Sequence, residues 1–393
     1  MRKVLILTDN KGWHYNQLVN SFNQKNVIVE SCNLTDMSIS VIKENVQILL
    51  NNKVITDITD VFVRHIPTGT LEEVVTNLNI LKALQSKGLN VMNTAENIEL
   101  TVDKSLTSMK LKDNGILTPN TWITRGKNNA IKLSKKLLDL HPLIYKPLFG
   151  SQGKNIKKIS NISDIETIHN DTNVYYLQEF LETSPSHDYR VLVTKSKNKD
   201  KTHTMIRYGD SYINNYSKGG KCVEIKFDSD LTDIALSTAK ILDIPFCGVD
   251  IIKYNNKNYV IEVNSIPAWK GLQSVIQDNI SDEIVDAFLE TVIIFPPLSI
   301  FINAPIYVSM QGLQFVLARR KTCSDLSFFS RLNSTSSTGW KFIRAGSPAP
   351  SRPGGRLRCG PRPRARSGRC ASSSATARCL PSVGASFKVG ART

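Results

Sequence analysis

The 393-residue chain has no cysteine spacing that resembles a zinc site, no GxxxxGK(S/T) run and no GxGxxG run. A zinc module, a P-loop nucleotide site and a dinucleotide-binding turn are therefore not indicated. Acid is almost missing from one end: residues 291–393 hold sixteen Lys/Arg against the single carboxylate Asp325. The formal charge of +16 is thus a property of the tail, since residues 1–290 carry 34 bases and 33 acids. A nucleic-acid or membrane-surface partner loses its support over that near-neutral body and would rest wholly on the basic tail. The body also lacks a secretory apolar region, because its opening run is only five residues long before Asp9. That run reads as a first buried strand. Cys32, Cys222 and Cys247 are scattered, as expected of ordinary reduced thiols in a cytoplasmic protein.

With 41% hydrophobic and 21% charged residues, the chain can bury two or three cores. Apolar runs at 4–8, 27–29, 60–66 and 89–92, with helical spacing at 17–26 and 71–86, predict a small open α/β domain through residue 96. A helix is expected from Thr101 to Gly115, with Leu106, Met109 and Leu111 inward. From Leu143 the pattern changes to strands separated by polar or Gly-rich turns, predicting an α+β domain over 97–290. Its last two strands, 248–253 and 258–263, form a hairpin turning at Tyr254 to Lys257. The expected fold class is therefore α/β plus α+β, followed by a disordered or aberrant tail. Residues 291–318 carry no charge and precede Arg319, Arg320 and Lys321, which suits a membrane helix in length and flanks, against Pro296, Pro297 and Pro305. Beyond Ser330 the Arg/Pro/Gly/Ser composition cannot bury a core, and the shift in usage suggests a frame or assembly accident fused to an enzyme.

Two segments carry chemistry. Lys146 ends a strand before a loop with Gly150 and Gly153, which puts a cation beside unobstructed backbone N–H groups and suits a polyphosphate; a surface hairpin with solvated lysines would look the same. Asp250 lies across the hairpin from Glu262 and Asn264, giving three oxygen donors for a hard cation such as Mg²⁺, or else a polar hairpin face. The apolar flanks of Glu262 make an unpaired carboxylate there costly.

Asp103-Lys104, the Lys146 loop, Gln178-Glu179-Phe180, Asp188-Tyr189-Arg190, Asn215 with Gly219-Gly220, and the Asp250, Glu262, Asn264 set occur in the order of ATP-grasp enzymes. The chain resembles the RimK-like α-L-glutamate ligases. The segments TVDKSLTS, YKPLFGSQGKN, YYLQEF and IEVNSIPAWKGLQSV look like the subgroup associated with tetrahydromethanopterin-type cofactors in methylotrophs. The resemblance covers residues 1 to about 290 and implies an ATP-grasp fold behind an N-terminal open α/β domain, with a lid around 146–155.

The resemblance also implies roles. Lys104 and Lys146 would hold phosphates, with Ser151, Gln152 and Gly153 in the lid and Asn215 nearby; Gln178, Glu179 and Phe180 would frame the adenine, Glu179 and Phe180 by main-chain bonds, and Asp188 would sit by the ribose. Arg190, Arg207 and Lys146 would be catalytic, and Asp250, Glu262 and Asn264 would hold two Mg²⁺ ions, with Mn²⁺ as a substitute. The implied reaction joins L-glutamate to a small-molecule carboxylate, a pterin, through an acyl phosphate; a protein or peptide C-terminus is the alternative acceptor. Arg64, Lys218 and Trp269 are the substrate-side candidates, with Trp269 free to stack on a flat ring or to pack in the core. Ile213 and Ala268-Trp269-Lys270 depart from the ribosomal-protein-modifying members, and Asn155 stands where the family has a small residue. His14, His65 and His187 read as structural or substrate-edge polar residues.

Overall fold

The computed structural model describes residues 2–290 except 44, 151, 152, 210, 215, 217 and 218. The expectations for Ser151, Gln152, Asn215, Lys218 and the tail lie outside the described residues. Residues 2–290 belong to one compact unit.

The chain opens with β1 (Lys3–Leu7), α1 (Trp13–Gln24) and β2 (Ile28–Cys32). Three antiparallel strands follow, β3 (Met37–Ile42), β4 (Asn45–Leu50) and β5 (Lys53–Val54), then β6 (Asp60–Val63), α2 (Leu71–Ser86) and β7 (Asn90–Met92). The parallel sheet runs β2-β1-β6-β7. Thr70 and Glu73 form a capping box that starts α2, and Gly88 follows its end at φ 85°.

Two helices come next, α3 (Ala95–Val102) and α4 (Lys104–Asp113). Asp103 divides them by capping α4, accepting from the Ser105 and Leu106 N–H groups at 2.8 and 3.1 Å. The break resets the buried face: Leu111 is buried, but Leu106 and Met109 are exposed, contrary to expectation.

A four-stranded sheet follows from β8 (Thr121–Arg125), α5 (Lys127–Leu137), β9 (Leu143–Lys146), β10 (Lys157–Ile159), α6 (Ile162–Glu166) and β11 (Val174–Glu179), ordered β10-β9-β11-β8. A five-stranded sheet completes the body: β12 (His187–Thr194), β13 (Lys201–Tyr208), β14 (Lys221–Ile225), α7 (Ser229–Leu242), β15 (Phe246–Tyr254) and β16 (Lys257–Asn264), ordered β14-β13-β12-β15-β16. The β15–β16 turn places Asn255 and Asn256 at φ 48° and 58°, a left-handed pair that Asn tolerates and a tight hairpin requires. Short α8 (Lys270–Gln273) and amphipathic α9 (Ile280–Glu290) follow.

One continuous core ties the N-terminal sheet to the large sheet: Val4, Ile6, Phe62 and Met92 pack with Leu192, Met205, Phe246, Trp269 and Phe288 of α9. Separate cores lie under α2 and under α7, and a fourth between the small sheet and α5 and α6. Among the described residues, no helix is long and apolar enough to cross a membrane.

Candidate active site

The small and large sheets face each other across a cleft of about 820 Å³, its open mouth included. Lys146 at the end of β9, Gln178 and Glu179 on β11, Asp250 and Ile252 on β15, and Ile261 and Glu262 on β16 line it, with Lys104 from the first turn of α4. Lys104, Lys146, Gly153, Gln178, Glu179, Phe180, Asp188, Asp250 and Glu262 are thus brought together from segments far apart in sequence. Tyr212, Ile213 and Asn214, missed as a group in the sequence, close one wall. They sit in an irregular loop with no periodic signal to mark them.

Strand register explains the charged floor. Asp188 faces Arg207 directly across β12–β13, Arg190 faces Asp250 across β12–β15, and Asp250 faces Glu262 across β15–β16. With alternation along β12, Asp188 and Arg190 share one face. Arg190 grips Asp250 with a two-bond fork, Nε to Oδ1 at 2.5 Å and Nη2 to Oδ2 at 2.7 Å. Arg207 grips Asp188 likewise at 2.6 and 2.9 Å, and its Nη2 also lies 3.1 Å from Asp250 Oδ1. All four side chains are buried. Burial works to raise the Asp250 carboxyl, but Arg190 and Arg207 outweigh it and hold it below the usual carboxylate range. Burial also works against the Arg207 charge, yet Asp188 and Asp250 more than offset this and its pKa is raised. Asp188, expected beside a ribose, lines the cleft and also fixes Arg207.

The lysines are tethered lightly. Lys146 donates to Gln178 Oε1 at 2.8 Å and to the Ile261 carbonyl at 3.4 Å. That carbonyl is exposed by a bulge between Asp250 and Ile251, where the register skips Ile261. Burial lowers the Lys146 pKa to about 8, although Glu262 opposes the fall. Lys104 donates to the Gly150 carbonyl at 2.8 Å and stands 3.6 Å from Glu262 Oε1. Gly153 and Asn155 of the glycine-rich loop have φ of 66° and 58°, so Asn155 adopts a left-handed conformation that few other side chains accept.

The donor set fits a divalent cation. Asp250 and Glu262 are directly opposed and Asn264 lies two residues along the same strand face; its buried Nδ2, a donor without a partner, suits a ligand oxygen rather than the ion itself. A carboxylate offers about four lone-pair sites. The arginines occupy three on Asp250. No cluster of three or more His, Cys, Asp or Glu occurs among the described residues, so an ion here would rest on two carboxylates, an amide and ligand oxygens, the pattern of Mg²⁺ with phosphates.

The substrate-side candidates divide. Arg64, just past β6, is buried, with Nη1 donating to the Pro267 carbonyl at 2.9 Å. Trp269 is 0% exposed and packs in the core against Trp13, His14 and Phe246, so its ring offers no face for stacking on a substrate. His14 Nε2 accepts from the Trp269 backbone N–H at 3.2 Å, and burial, with the Arg64 and Lys270 charges, lowers its pKa to about 3. His65 Nε2 is 3.5 Å from Asp9, and His187 Nδ1 pairs with the Pro185 carbonyl at 2.7 Å. None of the three histidines lines the cleft.

Residues 101–288 match the RimK-like ATP-grasp domain. The tetrahydromethanopterin:alpha-L-glutamate ligase of Methanocaldococcus jannaschii is 30% identical over 212 residues, 51% of this chain and 71% of that one. The chain belongs to the RimK-like ATP-grasp family. It is an ATP-grasp ligase, and such ligases in general use ATP and Mg²⁺. The similarly named ligase of Methanococcus maripaludis is 27% identical over 290 residues, 72% of this chain and 97% of that one. The fold is shared with the ATP-grasp ligase PsnB complexed with a minimal precursor, at TM-score 0.57 and 17% identity, over 74% of this chain and 98% of that one.

Proposed function

We propose that this ATP-grasp ligase adds L-glutamate to a carboxylate of a tetrahydromethanopterin-type pterin through an acyl phosphate. The observation that carries the ligase chemistry is the single cleft in which Lys104 and Lys146 meet the Asp250–Glu262 pair, with Arg190 and Arg207 braced behind it. The choice of substrates is supported by the relatives named for that reaction.

Lys104 and Lys146 hold the polyphosphate beneath the glycine-rich loop. The Glu179 and Phe180 N–H groups already donate to the Asn120 and Pro142 carbonyls at 2.8 and 3.0 Å, so the adenine edge is read by their carbonyls and by the backbone of Leu181. Asp250, Glu262 and Asn264 would hold Mg²⁺, which would supply positive charge against the transferred phosphoryl group. The acceptor carboxylate attacks the γ-phosphate, giving an acyl phosphate and ADP. The glutamate amine then attacks the acyl carbon, and phosphate leaves. Arg190 and Arg207, fixed before substrate arrives, stabilise negative charge on the acyl phosphate and the tetrahedral intermediate without reorganising. The loop excludes the water that would hydrolyse the acyl phosphate.

The test incubates the full chain with Mg·ATP, L-glutamate and either a tetrahydromethanopterin-type pterin or a peptide with a free C-terminus, following ADP and product mass. Glutamate-dependent ADP release and a mass gain of one glutamyl unit on the pterin are expected. Product on the peptide alone moves the acceptor to the protein class. ADP release that ignores glutamate with every acceptor refutes the glutamate reading.

A further inference from the structure

The N-terminal sheet has a second place built to receive an anion. In the order β2-β1-β6-β7, the chain leaves β1 towards β2 on one side, while β6 lies on the other. The carboxyl ends of β1 and β6 therefore flank a topological switch point, where open parallel sheets bind ligands. Arg64 follows β6 at that crevice, its backbone N–H bonded to the Leu7 carbonyl at 2.9 Å.

The Arg64 side chain is 7% exposed. One of its five N–H donors reaches the Pro267 carbonyl, and its guanidinium lies 4.9 Å from the Trp269 ring centroid. Burial alone lowers its pKa, to about 10; no carboxylate among the described residues holds it up. Buried guanidinium groups are ordinarily paired with an acid, because the unpaired charge is costly. The same indole supplies a second anomaly: the buried Trp269 Nε1 has no acceptor. Buried donors are nearly always satisfied, so an unfilled indole N–H in contact with a guanidinium that has no acid partner needs an explanation. His14, packed against the same indole, accepts from the Trp269 backbone N–H at Nε2 and brings no negative charge to Arg64.

The crevice adjoins the catalytic floor. A Cβ on Gly248 would stand 3.2 Å from Pro267 Cβ and 3.3 Å from Arg190 Cδ. Pro267 thus touches the Arg190 side of the floor through Gly248 and accepts from Arg64 through its carbonyl.

We propose that Arg64 and the Trp269 indole N–H bind a non-reacting carboxylate of a substrate, holding it across Pro267 from the site of acyl transfer. A guanidinium matches a carboxylate in a two-bond fork, and an indole N–H adds a third donor. The carboxylate belongs either to the amino acid or to the acceptor. The proposal rests on the ligase reading only in taking the anion to be a substrate's.

The full chain, Arg64→Met and Trp269→Phe are compared. Met keeps bulk without charge, and Phe keeps a ring without the N–H. KM is measured for glutamate, the pterin and ATP, alongside the thermal shift produced by millimolar L-glutamate, glutarate or the pterin, with chloride as control. Losing a charged hydrogen-bond pair raises one KM by about 10- to 100-fold in Arg64→Met, and losing one donor raises the same KM by about 3- to 10-fold in Trp269→Phe. KM for ATP stays within about twofold. A rise for glutamate assigns the carboxylate to the amino acid, and a rise for the pterin assigns it to the acceptor. Values within about twofold for both substrates, with carboxylate-induced stabilisation unchanged in both variants, overturn the proposal. If Arg64→Met fails to fold, Trp269→Phe decides by the same readings. If the full chain does not use glutamate, carboxylate-induced stabilisation lost in the variants still supports the site, and its absence from the full chain overturns it.

Discussion

Lys146 is buried at the floor of the cleft with an amide and a carbonyl as its partners, and its charge should be a measurable liability until the proposed phosphates arrive. Burial moves its pKa from 10.5 to about 8. Below about pH 8 the charged form is present in both native and unfolded chains, so the full penalty, about 3 kcal/mol, stands at neutral pH. Between about pH 8 and 10.5 the native state binds fewer protons than the unfolded one, so stability rises with pH and the penalty fades to about 1.4 kcal/mol by about pH 9.5. Lys146→Met removes this dependence. Measured by urea unfolding of the full chain without nucleotide, the stability of Lys146→Met relative to the native sequence should fall by about 2 kcal/mol between about pH 7 and 9.5. The constant cost of leaving Gln178 Oε1 without its donor cancels in that comparison. Mg·ATP should restore the ammonium, so calorimetry in buffers of different ionisation enthalpy should show about half a proton taken up per ATP at about pH 8, absent from Lys146→Met. A stability difference constant to within about 0.5 kcal/mol across the pH range, with no difference in proton uptake, would refute this account of Lys146.

Three further perturbations bear on the same cleft. Glu262→Gln should lower kcat by more than about 100-fold while circular dichroism stays native, because the amide keeps the shape and loses the charge that a metal requires; near-normal turnover removes Glu262 from the metal set. Arg207→Met should cost about 3–5 kcal/mol in urea unfolding by leaving Asp188 and Asp250 short of a buried cation, and about 1–3 kcal/mol of that should be recovered with Asp188→Asn added. Additive effects would show that the fork is not energetically coupled. Gly209→Ala puts a Cβ 2.7 Å from the Ile213 carbonyl and 2.6 Å from Asn214 Oδ1; about 1–3 kcal/mol of overpacking should move the 212–214 wall and weaken ATP binding in a fluorescence titration.

What was legible in the sequence follows from periodicity and turn chemistry. The 71–86 helix, the first strand and the Asn255-Asn256 hairpin carry their own local signals, and the structure has all three. The strands of 37–54 were not anticipated, since they are short and alternate weakly around exposed Val41 and Ile42. Leu106 and Met109 misled because a helix pattern spanning Asp103 hides that Asp103 starts a new helix with its own face. The roles of Asp188 and Trp269 depend on information that a sequence does not display. Asp188 meets Arg207 because β12 and β13 pair in one register, and a slip of one residue would turn both charges to the opposite face. Trp269 reads either as a stacking ring or as a core residue, and the packing of α1 against the large sheet decides for the core.

The charge pattern of the cleft favours ATP arriving there with divalent cations, as the proposed function requires. Lys104, Lys146, Arg190 and Arg207 stand against Asp188, Asp250 and Glu262, so the site alone is close to neutral. Both arginines are committed to the aspartates, and Lys104 already leans towards Glu262. A polyphosphate placed there would find few uncommitted positive charges and would press against three carboxylates. Under the proposed assignment, cations held by the Asp250–Glu262 pair would turn that repulsion into attraction and would leave the arginines for the acyl group rather than the nucleotide. Nucleotide affinity should therefore collapse when the metal is chelated and fall only modestly when Arg190 is replaced, as Arg190→Lys would show in an ATP titration with and without EDTA. Strong metal-free ATP binding, or an Arg190→Lys defect confined to ATP affinity, would mean that the arginines serve the nucleotide instead.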